Sequence, residues 1–261
     1  MNVISTNIHG GLGNTMFQIA TGYSTSIDEN SDFIVDETKH YNGHNPLNTY
    51  KNTIFQKVKF SNTEVPYEVY NVGSFHYCEI PKFDRSIKLS GFFQSDKYFK
   101  KNREGILSLF EPNDEIKNKL QSIYGEILKN KTCSIHVRRG DYLHLENYHP
   151  ILSHDYYQKS YEIIGSESVY LIFSDDIEYC KTQFEYIKNK VFITDLSDYE
   201  ELYLMSFCDN NIIANSSFSW WGAWLNQNPD KRVVAPKKWF GPAYNGVHDT
   251  KDLYPQSWIK A

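Results

Sequence analysis

Short apolar runs alternate with helical patterns through the second half of the sequence, and this alternation constrains the fold more than any other feature. Strands that alternate with helices form parallel sheets joined by crossover helices. The sequence therefore predicts a parallel α/β unit over residues 131–261. The five apolar runs are TCSIHV, SVYLIF, KVFIT, NNIIANS and KRVVAP, and the helical patterns lie at 153–164, 175–188, 197–208 and 218–227.

The first half predicts another α/β unit with a weaker pattern. It opens with NVISTNI, which has strand character, followed by the glycine loop HGGLGN and a helical pattern. KLSGFFQS predicts a later strand, and Asp96 and Asn113 are the expected caps of two helices after it. Residues 38–88 show no sustained period, and we assign no structure there. The boundary is predicted near residue 130, which gives domains 1–130 and 131–261.

Composition places the chain among ordinary soluble globular proteins. Its 40% hydrophobic and 23% charged residues exclude a disordered or fibrous chain. A formal net charge of -5 argues against broad nucleic-acid binding, which needs a surplus of Lys and Arg. Neither a spanning apolar segment nor a signal peptide is visible, so we expect a cytoplasmic protein. The four cysteines are far apart, which predicts free, mostly buried thiols rather than a zinc site or a disulfide scaffold.

The stretch IHVRRGDY ends the first strand of the second unit and carries the densest set of charged side chains. Ligands of parallel sheets bind beyond the carboxyl ends of the strands, often where two domains face each other. Adjacent side chains point in opposite directions, so one of Arg138 and Arg139 is expected to reach a phosphate while a carboxylate such as Asp141 holds the other. A surface salt bridge is the alternative interpretation.

The glycine loop HGGLGN lies between a strand and a helix, where free N–H groups favour an anion. Gly11 and Gly13, with Gly10, would let a phosphate or a sugar approach closely. A purely structural turn is the alternative. A dinucleotide-binding fingerprint using Asp36 is a further reading, but Met16 stands where its third glycine is required.

Two further strand ends carry polar groups. In LIFSDD, the paired Asp175 and Asp176 suit a divalent metal, the donors of guanine or ribose, or a helix cap; no DxD arrangement is present, which favours base or ribose recognition. In IIANSSFSWWGAWLN, Ser216 and Ser217 are placed to cap the next helix or to bind an anion. The three tryptophans of that helix are expected to pack in the core.

Four stretches in this order, GGLGNTMFQIA, HVRRGDY, FSDD and NSSFSWWGAWLN, resemble those of the family 11 glycosyltransferases, the α1,2-fucosyltransferases. The resemblance covers the whole chain. It departs from the usual pattern at Thr15, where the family has Gln, and at Ile19, where it has Tyr. These departures affect acceptor details more than the assignment.

The resemblance implies a GT-B-like fold of two Rossmann-like domains facing a central cleft, an N-terminal acceptor side and a C-terminal GDP-fucose-binding side. It implies transfer of L-fucose with inversion, without a cofactor or a metal. The implied donor-binding residues are Gly11, Gly13, Asn14, His136, Arg138, Arg139, Asp175, Asp176, Ser216, Ser217 and Phe218.

Within that set, His136 and Arg138 are expected at the diphosphate, Asp141 is expected to orient the arginines, and Asp175 or Asp176 is expected to read guanosine. For the acceptor base, Glu146 follows Asp141 by five positions, the spacing found in the related core α1,6-fucosyltransferases. An exposed loop glutamate is the alternative reading of that residue, and Asp141 and His9 are the other candidate bases. Arg138, Asp141 and Glu146 are thus the predicted catalytic residues.

The predicted activity is transfer to the 2-hydroxyl of a galactoside within a glycan. An α1,6 or α1,3 linkage, a non-catalytic GDP-sugar-binding protein and a nicotinamide-dependent oxidoreductase are the alternatives. The expected partners are GDP-fucose and a galactose-containing acceptor, with no nucleic acid and at most a peripheral membrane association through a lipid-linked acceptor.

Overall fold

Residues 2–37, 47–63 and 65–261 are described in the computed structural model. The strands are β1 (Val3–Thr6), β2 (Asp32–Phe33), β3 (Val35–Asp36), β4 (Phe60–Ser61), β5 (Glu68–Asn71), β6 (Ile87–Ser90), β7 (Thr132–Val137), β8 (Val169–Ser174), β9 (Lys190–Phe192), β10 (Asn210–Ile212), β11 (Val233–Ala235) and β12 (Ile259–Lys260). The helices are α1 (Leu12–Asp28), α2 (Asn48–Lys51), α3 (Arg103–Leu109), α4 (Asp114–Leu128), α5 (His154–Ile164), α6 (Ile177–Gln183), α7 (Asp198–Phe207) and α8 (Ser217–Leu225).

A parallel sheet of order β12-β11-β10-β7-β8-β9 forms the second unit. Counted within the unit from its β9 edge, the strands run third, second, first, fourth, fifth and sixth, which is the doubly wound order. The order reverses between β7 and β10. Ligands bind beyond the carboxyl ends of strands at such a switch point, so the ends of β7 and β10 are the places to look for a site.

Strand β7 forms because all six of its residues can be buried. It lies in the middle of the sheet with crossover helices around it, so Thr132 to Val137 are shielded on both faces. Two tyrosines of α5 satisfy carbonyl groups at the strand ends: the Tyr157 hydroxyl donates to the His136 carbonyl at 3.2 Å, and the Tyr156 hydroxyl donates to the Ile213 carbonyl at 2.7 Å. These bonds fix the backbone next to the switch point.

The first unit has its own parallel sheet, of order β2-β1-β6-β5, and a separate β3-β4 pair. Helix α1 packs against β1 and buries Met16, Phe17 and Ile19 completely. Both units are therefore α/β with parallel strands, as predicted. Of the segment without an assignment, residues 38–46 and 64 lie outside the described residues, and the rest contains α2, β4, β5 and the start of β6.

The boundary between the units differs from the one near residue 130. One unit consists of Met1–Pro112 and His248–Pro255, and the other of Asn113–Val247 and Gln256–Ala261. Helix α4 belongs to the second unit because it packs on α7, with the Lys119 ammonium 2.7 Å from the Glu200 carboxylate. The helical pattern of α4 gave no indication of which core it would join.

Local signals at helix ends had mixed outcomes. The Asn113 side chain accepts a hydrogen bond from the Ile116 amide at 2.9 Å, as predicted for a cap. Asp96 is not a cap, because the Ser95 hydroxyl caps a short 3-10 turn at that place. Trp220, Trp221 and Trp224 are buried as expected. The four cysteines are free, and three of them are buried.

A buried ion pair joins the two sheets of the first unit. The Lys88 ammonium of β6 donates to the Asp36 carboxylate of β3, and both side chains are about 5% exposed. The Lys88 ammonium also lies 5.1 Å from the centre of the Tyr67 ring. Asp36 is therefore buried in an ion pair with Lys88 and is not available to bind a ribose. This argues further against the dinucleotide-binding interpretation.

We predict that Asp36→Ala lowers the free energy of unfolding by about 3–5 kcal/mol, because the Lys88 ammonium is left buried without its carboxylate. The double variant Asp36→Leu with Lys88→Met should recover most of this loss, since neither side chain then carries a charge. Urea denaturation of the three proteins checks the prediction. A single variant as stable as the wild type would contradict it.

Candidate functional site

Charged side chains meet at the adjacent carboxyl ends of β7 and β8. The register pairs Val137 with Ser174, so the residues after each strand lie beside each other. An Arg138 terminal nitrogen is 2.7 Å from the Asp141 carboxylate, and the other is 3.0 Å from the Asp175 carboxylate. A guanidinium has five N–H donors, so donors remain for a ligand after these two contacts. Its side chain is 33% exposed, which leaves it accessible.

Asp175 fixes the backbone of the following turn as well. Its second carboxylate oxygen accepts a hydrogen bond from the Arg139 amide at 2.8 Å. A Cβ atom on Gly140 would lie 2.6 Å from the Asp175 carboxylate, so this position needs glycine for the close approach. The turn after β7 is thus built around one carboxylate.

Arg139 is held by different partners. Its Nε donates to the Asp176 carboxylate at 3.0 Å, and its guanidinium carbon lies 3.5 Å from the centre of the Tyr179 ring. The other oxygen of Asp176 accepts from the Tyr179 amide and caps α6. Each arginine is therefore held by a carboxylate, and Asp141 pairs with Arg138 rather than with its neighbour.

These contacts bear on the predicted reading of guanosine. Each carboxylate oxygen of Asp175 and Asp176 already has a partner within the second unit. The partners are the two arginines and the Tyr179 amide. Guanosine recognition by either aspartate stays a prediction. The structure shows the two carboxylates positioning the arginines.

His136 is a buried, neutral imidazole on β7. Burial, and secondarily the Arg138 charge, lower its pKa to about 3. Its Nδ1 atom has no hydrogen-bond partner among the described residues, and its ring centre lies 5.4 Å from that of Phe218. A buried polar atom without a partner is costly, so this atom is a candidate for contact with a ligand.

The amino terminus of α8 lies at the carboxyl end of β10 and has no side-chain cap. Ser216 occupies the N-cap position, yet its hydroxyl accepts no amide hydrogen bond. Helices α4, α5 and α6 of the same unit are each capped by a side chain. Ser216, Ser217 and Phe218 are half-buried. The uncapped N–H groups and the positive end of the helix favour an anion here.

Tyr142 connects these parts and was not among the predicted site residues, although it ends the RRGDY motif. The Arg138 guanidinium carbon lies 5.5 Å from the centre of its ring, and its hydroxyl donates to the Asn215 carbonyl at 3.1 Å. Burial raises the pKa of the Tyr142 hydroxyl far above its usual range. It stays protonated and ties the turn after β7 to the segment that leads into α8.

Glu201 is a second residue that motif analysis missed. A Cβ atom on Gly222 would lie 2.9 Å from the Met205 side chain, which places these two residues opposite each other on α8 and α7. Both helices begin at the carboxyl edge of the sheet, so Glu201, one turn before Met205, lies level with Phe218. Burial, together with the charges of Asp198 and Asp175, raises the Glu201 pKa to about 8.

The Glu201 carboxyl has no hydrogen-bond partner in the part of the chain that the structure describes. Its position in DYEELYLMS shows no spacing or charge pattern that distinguishes it from a surface glutamate. Only the packing of α7 on α8 identifies it.

Glu146, the predicted acceptor base, is exposed. It lies in the turn after a 3-10 helix at Gly140–His144, and no side-chain hydrogen bond to it is found within the described ranges. Of the other candidate bases, Asp141 pairs with Arg138. Glu146 is thus solvated and unpaired, and its role stays a prediction.

The predicted glycine loop lies in the first unit. Gly10 has a φ of 83°, and Gly11 is the N-cap of α1 without a side-chain cap. The Asn14 side-chain oxygen accepts from the Gln94 amide at 2.8 Å. The His9 amide donates to the Gln18 side chain at 3.0 Å. Gly13 is buried in the first turn. The loop is therefore an ordered turn that presents the free N–H groups of a helix terminus.

The described residues contain neither a membrane-spanning helix nor a cluster of metal ligands. Within residues 2–37, 47–63 and 65–261, no helix combines the length and the apolar character needed to cross a membrane. Across the same residues, no three His, Cys, Asp or Glu side chains converge as ligands of a metal ion.

Comparison with known proteins gives a family and several relatives. Residues 1–261 match the profile of Glycosyl transferase family 11. The O-antigen biosynthesis glycosyltransferase WbnK of Escherichia coli is 38% identical over 66% of this chain and 59% of its own length. An α-1,2-colitosyltransferase of Escherichia coli is 29% identical over 100% of this chain and 99% of its own length. Galactoside α-(1,2)-fucosyltransferase 1 of Plecturocebus brunneus is 25% identical over 66% of this chain and 55% of its own length.

Two of these relatives are thus matched over less than two thirds of their length. Among solved structures, the NodZ α-1,6-fucosyltransferase soaked with GDP-fucose superposes with a TM-score of 0.57 at 14% identity, over 85% of this chain and 91% of that chain. This likeness confirms the predicted GT-B-like α/β fold.

We predict that Glu201→Gln removes a pH dependence of stability. Between about pH 4.5 and 8 the folded wild type keeps the Glu201 proton that the unfolded chain loses, so its stability falls as pH rises, by at most about 1.4 kcal/mol per pH unit. Glutamine carries no such proton. Urea denaturation of both proteins across this range, with the exposed Glu126→Gln as control, measures the difference. Parallel curves for Glu201→Gln and the wild type would contradict the prediction.

Proposed function

The chain belongs to glycosyl transferase family 11, and from this membership we propose that it transfers L-fucose from GDP-fucose to the 2-hydroxyl of a galactoside. The transfer inverts the anomeric carbon and uses no metal. The observation that carries the proposal is the Arg138 guanidinium, held between Asp141 and Asp175 beside the switch point of the second sheet.

The leaving group determines what the site must do. As the bond from fucose to phosphate breaks, the sugar becomes oxocarbenium-like and negative charge grows on the departing β-phosphate. A guanidinium already fixed by two carboxylates can donate to that phosphate without reorganising. Its partners Asp141 and Asp175 are positioning residues in this scheme. They hold the fork in place and do not touch the sugar.

Additional donors come from the start of α8. The hydroxyls of Ser216 and Ser217 and the uncapped N–H groups lie at the positive end of the helix. His136 is neutral and supplies a hydrogen bond rather than a charge. Together these groups provide the stabilisation that a divalent cation supplies in other transferases. Donor binding by Gly11, Gly13 and Asn14 of the first unit stays a prediction.

We assign recognition of the base to Glu201. Guanine has two adjacent donors, N1–H and the 2-amino group, and a carboxylate accepts from both, so the binding of guanine removes the proton that Glu201 carries in the free protein. The Glu201 carboxyl is half-buried, has no hydrogen-bond partner among the described residues and lies level with Phe218, whereas Asp175 and Asp176 form ion pairs with the arginines. This assignment replaces the role expected of the two aspartates.

Glu146 is the proposed acceptor base. Its carboxylate is exposed and unpaired, whereas Asp141 would have to give up its ion pair with Arg138 to accept a proton. Deprotonation of the attacking hydroxyl by Glu146 completes the transfer.

Colitose is the second candidate donor sugar, because the relative matched over 99% of its length is named a colitosyltransferase. Colitose is 3-deoxy-L-fucose, so the phosphate chemistry is the same for both sugars. A reaction that contains both GDP-fucose and GDP-colitose decides between the two donors. The proposed function requires kcat/KM to be larger for GDP-fucose than for GDP-colitose.

The first experiment incubates the purified protein with GDP-fucose and lactose in the presence of EDTA and follows GDP release against a control without acceptor. Acceptor-dependent release with an α1,2 linkage supports the proposal. An α1,6 or α1,3 product corrects the linkage. GDP binding without turnover on any galactoside would instead indicate a binding protein.

Arg138→Ala should lower kcat by about 10²–10³-fold, the typical effect of losing one fixed donor to a developing charge. Arg138→Lys should recover only part of this, since a lysine lacks the planar fork. Arg85→Ala is the control, because Arg85 is also an ion-paired arginine but is exposed on the first unit. Full transfer by Arg138→Ala would refute the proposed role.

Glu201→Ala should weaken discrimination between GDP and inosine diphosphate, which lacks the 2-amino group. Losing one buried hydrogen bond of this kind costs about tenfold in binding. We therefore expect the GDP preference of the wild type to fall toward equality, as measured by calorimetry with both nucleotides. If Glu201→Ala keeps the wild-type preference for GDP over inosine diphosphate, Glu201 does not recognise the base.

A further inference from the structure

A group of aromatic rings, one exposed and four half-buried, borders the residues of the second unit that we propose to bind phosphate. We call it the ring platform and define it by Tyr142, Tyr148, His149, Phe240 and Tyr244. The Tyr142 and His149 rings stack with centres 4.8 Å apart. The His149 ring is 5.9 Å from Phe240 and 6.1 Å from Tyr244, and the Tyr148 and Tyr244 rings are 5.3 Å apart. The rings form a continuous row that starts beneath the Arg138 guanidinium.

The two segments that carry these rings are joined rigidly. The Gly241 amide donates to the Tyr148 carbonyl and the Ala243 amide donates to the Asn147 carbonyl, both at 2.8 Å. A Cβ atom on Gly241 would lie only 2.3 Å from the Asn147 carbonyl oxygen. The rings are therefore held in place before any ligand binds, which lowers the entropic cost of binding.

Exposed apolar groups are concentrated on these segments. Leu143, Leu145, Tyr148 and Val247 are 42%, 39%, 46% and 66% exposed. Side chains of this size next to a site mark a surface that binds something. Because Tyr142 lies at one end of the row, the bound group would be adjacent to the departing phosphate.

The chemistry of the patch selects a neutral, hydroxylated ligand. Residues 140–154 and 239–250 contain no Lys or Arg, so the patch does not suit a phosphate or an anionic membrane. Burial lowers the pKa of His149, which makes its ring predominantly neutral at neutral pH. Tyrosine rings offer a flat apolar face with a hydroxyl at its rim. A pyranose matches this pattern, because one face of the ring carries C–H groups and its edge carries hydroxyls.

We propose that the ring platform is a subsite for the acceptor saccharide, in which a galactoside stacks on the exposed Tyr148 ring beside the edge-on Tyr244 ring. This proposal rests on the proposed function and adds to it the place where the acceptor binds in the second unit. It also gives a reason for the position of Glu146. That carboxylate lies two residues before Tyr148 and is close to the hydroxyls of a sugar bound there.

The test compares Tyr148→Ala, Tyr148→Phe and the control Phe207→Ala. Phe207 is the last residue of α7, and its exposed fraction of 40% is close to the 46% of Tyr148. The two side chains are also similar in size. We expect Tyr148→Ala to raise the KM for lactose about tenfold while the Kd for GDP stays within about twofold. Tyr148→Phe keeps the stacking face and should stay near the wild type, as should Phe207→Ala.

Saturation-transfer NMR with lactose and GDP-loaded protein provides a readout that does not depend on turnover. If lactose receives saturation from the wild type but not from Tyr148→Ala, the result supports acceptor binding at the ring platform. This holds even if the donor sugar is not fucose. An unchanged lactose KM in Tyr148→Ala and in the Tyr148→Ala, Tyr244→Ala double variant would overturn it. Absence of lactose contact in the wild type would also overturn it. A failure of the proposed function would appear separately, as absent GDP binding or as transfer from GDP-colitose instead of GDP-fucose.

Discussion

The pairing of arginines after β7 with aspartates after β8 is the interaction on which the candidate site depends. Because the strands end level, with Val137 opposite Ser174, the two turns face each other at hydrogen-bond distance. Asp175 binds the Arg138 side chain and the Arg139 amide together. A flexible side chain thereby becomes a fixed fork, and fixed donors are the ones that stabilise a developing charge.

The same concentration of charge explains the protonation of its neighbours. His136 lies under Arg138 in a buried strand, and both effects disfavour imidazolium. Partial burial and the nearby charges of Asp198 and Asp175 raise the pKa of Glu201 to about 8, so the carboxyl is in its acid form in the free protein. The site thus combines a permanent positive fork with neutral hydrogen-bonding groups. Such a combination suits a ligand that has one strongly charged part, the diphosphate, and a base and sugars that are uncharged.

Much of the fold was predictable because parallel strands leave a direct pattern. Five apolar runs became β7 to β11, and the motif residues lie at strand ends as expected. The two-residue β12 was missed, since it is too short to show a period. The boundary near residue 130 was misplaced, because the apolar face of an amphipathic helix such as α4 does not specify which of two cores it packs against. Glu201 carries no local signal, so its role emerged from the packing of α7 against α8.

The sequence by itself determined the α/β class, the family and the position of each motif at a strand end, because these depend on local periodicity and on short motifs. Only the tertiary structure decided which charges pair. Asp175 and Asp176 are separated from the arginines by more than thirty residues, and the strand register that joins them is a long-range property. The row of rings beside Arg138 arose in the same way. It required segments distant in sequence to meet, and burial and contact between such segments cannot be deduced from local pattern.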